Sequence, residues 1–215
     1  HFPAHYAAVL AMILVFSVIA VGGALRATPE MRTGGAIWSW QFFLLGAGFM
    51  LLETKAIIQF ALLWGSTWVV ASLAIASVLA MALVANYVVE HIQIRRAELV
   101  GAVLVALLAL NYAIPIGRIG FESRAGESIF YALLEFSPIL CAGLLFGSAI
   151  QRSTSVAREY GTNLLGAMAG GVAEYLSLVT GFRMLLLIIA LCYIGAVLAR
   201  RSASRRPAAA AVGTV

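Results

Sequence analysis

Seven polar or charged side chains stand inside or at the edge of apolar stretches of this chain: Glu53, Lys55, Gln59, Glu135, Asn163, Glu174 and Arg183. The densest group lies in GAGFMLLETKAIIQF, Gly46 to Phe60, where Glu53 and Lys55 interrupt a run that is otherwise suited to lipid. A carboxylate in hydrocarbon must be paired, hydrated or protonated. Three roles suit such residues: a structural ion pair, the binding of a proton or small cation, or a charge held at the membrane interface. The seven together form a candidate polar intramembrane site.

Glu53 and Lys55 are two positions apart, which on a helix separates them by about 200°. They cannot pair with each other without distorting the helix. Lys55 shares a polar seam with Gln41, Leu45, Gly48, Leu52 and Gln59, whereas Glu53 shares a face with Gly46, Phe49 or Met50, and Ile57. Lys55 has a stem long enough to snorkel toward an interface; Glu53 does not. Ile37 to Trp64 as one helix is roughly 40 Å long against a hydrocarbon core of about 30 Å, so this segment is expected to tilt strongly or to break near Glu53–Lys55. In NLLGAMAGGVAEYLSLVTG, the residues Asn163, Ala167, Gly170, Glu174, Ser177 and Gly181 fall on one face. The Gly166–Gly170 step permits close helix approach, so that face is expected to look into protein. Glu135 precedes Pro138, which bends a helix. Glu135 stands either near the outer headgroups or inside the bundle.

The elements that must position these residues follow from composition. Hydrophobic residues make up 63% of the chain and charged residues 11%, against about 45–50% and 25% in soluble domains. The apolar residues come in runs near the 18–20 that cross a bilayer. The expected fold is an all-α polytopic transmembrane bundle of about seven spans: Tyr6–Leu25, Ile37–Phe60, Thr67–Val89, Leu99–Ile116, Ile129–Ile150, Asn163–Thr180 and a short Met184–Ala199. The sixth is the most polar, and a re-entrant course is its alternative. Residues 1–199 form the membrane domain. Residues 200–215, basic and then Ala/Pro-rich, read as a disordered tail that anchors topology.

Orientation follows from arginines in short loops. With the N-terminus outside, Arg26, Arg32, Arg95, Arg96, Arg152, Arg158, Arg200, Arg201, Arg205 and Arg206 are cytoplasmic, and only Arg118, Arg124 and Arg183 are outside. An integral protein of a bacterial plasma (inner) membrane is expected, with the N-terminus outside and the C-terminus inside. Trp38, Trp40, Trp64 and Trp68 flank two spans as an interfacial belt. The net charge of +5 is scattered, so no nucleic-acid surface is indicated. A start at His1 suggests a processed chain or a fragment.

No HExxH, CxxC, Walker loop or GxSxG elbow is present, and Cys141 and Cys192 stand alone in apolar runs. No catalytic, cofactor or metal residues are assigned. LLGAGFMLLE and LLGAMAGGVAE carry a faint internal repeat, in spans that cross in the same direction; parallel repeats are a transporter device.

Two segments, FFLLGAGFMLLETKAIIQFALLWGSTWVV (Phe42–Val70) and GTNLLGAMAGGVAEYLSLVTGFRMLLL (Gly161–Leu187), resemble the membrane portion of multipass spermidine-synthase-like proteins, the polyamine aminopropyltransferase-like integral membrane family. The features that carry the resemblance are Gly46 and Gly48, the membrane acid Glu53, and Gly65-Ser66-Thr67 leading into the next helix. The sequence departs from the family in having no arginine two turns after Glu53. The resemblance implies a membrane module whose transferase chemistry belongs to a soluble Rossmann-like domain, absent from this sequence. It implies no catalytic residues here. The leading reading is thus an accessory or substrate-handling module in a lipid bilayer. Its partners would be a soluble Rossmann-like domain or a helical membrane protein, with a small cationic ligand such as a polyamine. The alternative is a small-molecule or proton-coupled transporter, or half of one; an enzyme within the membrane segment and a scaffold are further readings.

Overall fold

The computed structural model describes residues 38–114, 123–180 and 182–205, with six further positions between 11 and 23. Among the described residues the fold is all-α. Six helices are described along their length: α1 (Trp40–Trp64), α2 (Trp68–His91), α3 (Ala97–Ala113), α4 (Arg124–Ile150), α5 (Val156–Thr180) and α6 (Phe182–Arg205). Four stretches, Trp40–Trp64, Trp68–His91, Gly126–Ile150 and Arg183–Ser202, are long and apolar enough to cross a membrane, and Ala97–Ala113 is a shorter apolar helix. The expected first span, Tyr6–Leu25, and the tail beyond Arg205 lie outside the described residues, apart from Ala11, Met12, Val15, Phe16, Ile19 and Gly23, which are helical.

Local chemistry sets several boundaries. Gly65 ends α1 at φ +96°, a conformation that side-chain-bearing residues rarely adopt. Thr67 then caps α2, its hydroxyl oxygen accepting from the Val70 amide. The expected Gly-Ser-Thr turn is therefore present. Ser123 caps α4 in the same way, accepting from the Gly126 amide at 3.0 Å.

Cross-helix contacts fix the directions. α1 lies centrally, antiparallel to α4 through the Phe42–Phe146 and Phe60–Phe136 ring pairs. It is antiparallel to α6, where Gly48 meets Tyr193 and Gly195 meets Leu44. It is parallel to α5, its most extensive neighbour. Here close backbone approach depends on glycine: a Cβ on Gly46 would run into the Asn163 carbonyl, and one on Gly166 into the Phe43 carbonyl. Each glycine thus meets the residue three positions before the other, so the two Leu-Leu-Gly-Ala segments of the internal repeat lie side by side in reciprocal contact.

One of two alternatives about length is removed, and one expectation is corrected. α1 does not break near Glu53–Lys55; it is one helix of 25 residues, about 37 Å long at 1.5 Å per residue. The last helix is not short: it runs 24 residues from Phe182 to Arg205, because the arginines after Ala199 continue the helix out of its apolar part. α5 starts seven residues before the expected Asn163, through the polar Arg158-Glu159-Tyr160 turn, and continues unbroken to Thr180. A hairpin within Asn163–Thr180 is therefore not formed.

Candidate functional site

The polar centre of the bundle begins with a proline. Pro138 lies inside α4 and has no N–H, so the carbonyl of Leu134, four residues earlier, loses its helical donor. In a membrane interior a freed carbonyl needs a new partner from the protein. Asn111 of α3 provides one, donating from Nδ2 to the Leu134 oxygen at 3.0 Å. The amide oxygen of Asn111 then accepts from Lys55 Nζ of α1 at 2.6 Å. Lys55 also donates to both carboxylate oxygens of Glu135, at 2.5 and 2.7 Å. An ammonium has three N–H groups, and all three find acceptors here.

The circuit is shut away from its surroundings. Lys55 is 1% exposed, Glu135 2% and Asn111 5%. Lys55 lies nine residues before the end of α1 and Glu135 eleven after the start of α4, which places both roughly 15 Å from that end of the bundle. Half a hydrocarbon core is about 15 Å, so the pair belongs near mid-membrane. The expectation that Lys55 snorkels is corrected: its ammonium turns inward because a carboxylate and an amide on two other helices meet it there. Glu135, left open between headgroups and bundle, is in the bundle.

The other expected residues do not converge on this point. Glu174 accepts a 3.1 Å hydrogen bond from the Thr54 hydroxyl, between α1 and α5. Glu53 is half-buried on α1 and makes no hydrogen bond or ion pair among the described residues. Gln59 is buried one turn beyond Lys55, and its Oε1 accepts nothing among the described residues. Asn163, near the opposite end of the bundle, donates to the Phe42 carbonyl at 3.1 Å. Arg183 is exposed; it lies over the Tyr112 ring at 4.4 Å and donates to the Tyr112 carbonyl at 3.4 Å, and it pairs with no acid among the described residues. Three successive α1 side chains therefore diverge: Thr54 toward α5, Lys55 toward α3 and α4, and Glu53 toward neither partner set.

Sequence reasoning missed Asn111 and Thr54. Thr54 is one hydroxyl in an apolar run and carries no signal of its own. Asn111 had a signal: a neutral amide within a predicted span, set against a proline four residues after a carbonyl that must find a donor.

Among the described residues no group of three His, Cys, Asp or Glu side chains is arranged to hold a metal. No family model, curated protein or solved structure matches the chain. Fold and site together define a class: an all-α, membrane-embedded helical module organised round a buried lysine–carboxylate pair, without an obvious catalytic or metal-binding group among the described residues.

Proposed function

We propose that this chain is the membrane-embedded accessory module of a larger spermidine-synthase-like protein of a bacterial plasma membrane, and that its central charges hold the helices together rather than turn over a substrate. The observation that carries this reading is the saturation of Lys55. Its three N–H groups are taken by Glu135 and Asn111 within a fully buried contact. A site that loads and releases a cation needs a carboxylate free to change partners; Glu135 is engaged through both oxygens.

The two segments that resemble the spermidine-synthase-like family support the same reading. They contribute α1 and α5, the most extensively paired helices of the fold. In this reading the module crosses the membrane seven times with its N-terminus outside. A soluble Rossmann-like domain docks at the cytoplasmic face, and polyamine chemistry takes place there.

The reciprocal contact of the two Leu-Leu-Gly-Ala segments favours a second reading. Parallel repeats about an axis along the membrane normal occur in transporters, and Glu53, half-buried and unpaired among the described residues, is the residue that would meet a cation. Radiolabelled spermidine flux into proteoliposomes separates the two. The accessory reading expects uptake no faster than into protein-free vesicles. Saturable uptake that Glu53→Gln abolishes would replace it with the transporter.

A further inference from the structure

Between α1, α2, α4 and α5 lies a cavity of about 230 Å³, well away from the Lys55–Glu135 pair. Its deep wall is apolar: Phe49, Ala82 and Ala142. Its rim carries the polar groups Asn86, Tyr160 and Asn163 beside Leu45 and Phe146. Asn86 and Tyr160 are exposed and make no hydrogen bond among the described residues, and Asn163 uses only its Nδ2. Their positions along the helices order these groups in depth. Tyr160, Asn86 and Asn163 stand four, five and seven residues from the ends of their helices, roughly 6–10 Å down, whereas Phe49 is about 14 Å down. The cavity therefore runs from a mouth that carries every polar lining group to an apolar floor, as an amphiphile lying along the membrane normal requires.

The helix ends above this mouth carry Arg95, Arg96, Arg152, Arg158, Arg200 and Arg201. Glu98 and Glu159 are each paired with one of these arginines, Arg201 and Arg158. Arg152 donates to the Ile94 carbonyl at 2.6 Å, which holds it beside the connector bearing Arg95 and Arg96. Both cavity walls α2 and α4 run into this corner. A rim cationic in net charge, its arginines outnumbering Glu90 at the end of α2, over hydrogen-bonding groups over an apolar shaft matches the order phosphate, ester, acyl chain. Juxtamembrane arginines attract anionic headgroups, and basic pockets between helix ends bind them.

We infer that this cavity holds one acyl chain of an anionic phospholipid from the leaflet on the arginine side. The ester carbonyls lie at Asn86 and Tyr160, and the headgroup lies under Arg95, Arg96 and Arg152. The site involves none of the residues of the central ion pair and does not depend on the accessory reading.

The test is native mass spectrometry of the full chain, released from detergent containing phosphatidylglycerol and phosphatidylethanolamine in equal amounts. One phosphatidylglycerol should persist at collision energies that strip phosphatidylethanolamine. Ala82→Phe fills the cavity from α2 and should lower that occupancy about tenfold, equivalent to about 1.4 kcal/mol. Leu83→Phe, on the exposed side of the same helix, should leave it unchanged. The double variant Arg95→Gln/Arg96→Gln alters only connector residues; it should keep lipid binding but lose the preference for phosphatidylglycerol. Equal retention of both lipids by the parent, or full retention by a folded Ala82→Phe variant, would overturn the site. An unaltered preference in the double arginine variant would overturn the assignment of the headgroup.

Discussion

At the residue scale the decisive event is the loss of one amide hydrogen at Pro138. The Leu134 carbonyl that it frees recruits Asn111, and Asn111 completes the coordination of Lys55. The charge of Lys55 was legible in the sequence as a residue needing a partner on another helix, because its own neighbour Glu53 points elsewhere. Which acid would meet it was not legible, since Glu53, Glu135 and Glu174 all stand in apolar runs and only packing chooses among them. The chain of cause predicts a coupling. Pro138→Ala restores a helical donor for Leu134 and makes Asn111 partly redundant. Asn111→Leu should therefore destabilise the parent by about 1 kcal/mol more than it destabilises the Pro138→Ala variant, in line with hydrogen bonds between membrane helices. Equal effects in both backgrounds, measured by unfolding in detergent, would show that Asn111 does not serve the proline-freed carbonyl.

At the element scale the α1–α5 pair sets the fold's closest approach. The sequence announced it: glycines and Asn163 on one face of α5 are not a lipid-facing surface, and the Gly166–Gly170 step implies a close neighbour. It did not announce that the neighbour is the repeat's other copy, because GxxxG names no partner. Gly46 and Gly166 pack against backbone, which cannot yield as a side chain does. Gly161, on the same helix as Gly166, has open space where a Cβ would stand. Gly46→Ala and Gly166→Ala should each cost about 3 kcal/mol or prevent assembly, while Gly161→Ala should be neutral or slightly stabilising through helix propensity. Recovery of monodisperse protein by size-exclusion chromatography reads the difference. A Gly166→Ala variant recovered as well as Gly161→Ala would refute the interface. Boundaries were less legible: α5 and α6 both continue past their apolar parts, since charged residues at a membrane surface sustain a helix that hydropathy does not detect.

At the scale of the whole molecule, alternating helix directions gather the starts of α1, α3 and α5 with the ends of α2, α4 and α6. The arginines of the connectors collect at that end. Only Arg124 and Arg183 are among the described arginines at the other. Among the described residues the arginine bias expected from sequence thus falls at one end of the bundle. This asymmetry predicts that a reporter active only in the cytoplasm works when inserted at Thr154, between α4 and α5, and is silent at Ser66, between α1 and α2. The reverse result would invert the molecule.

In the proposed function the mid-membrane charges are architecture. A buried pair broken on one side leaves an unpaired charge and costs about 3–5 kcal/mol, whereas replacing both members by apolar residues of similar volume is near neutral or stabilising. Thermal unfolding in detergent of the parent, Lys55→Met, Glu135→Leu and the double variant, each with and without spermidine, tests this directly. Both single variants should melt well below the parent, the double variant should recover most of the loss, and spermidine should shift none of them. A parent stabilised by spermidine through Glu135, with a double variant no better than the singles, would contradict the account and make the pair a ligand site.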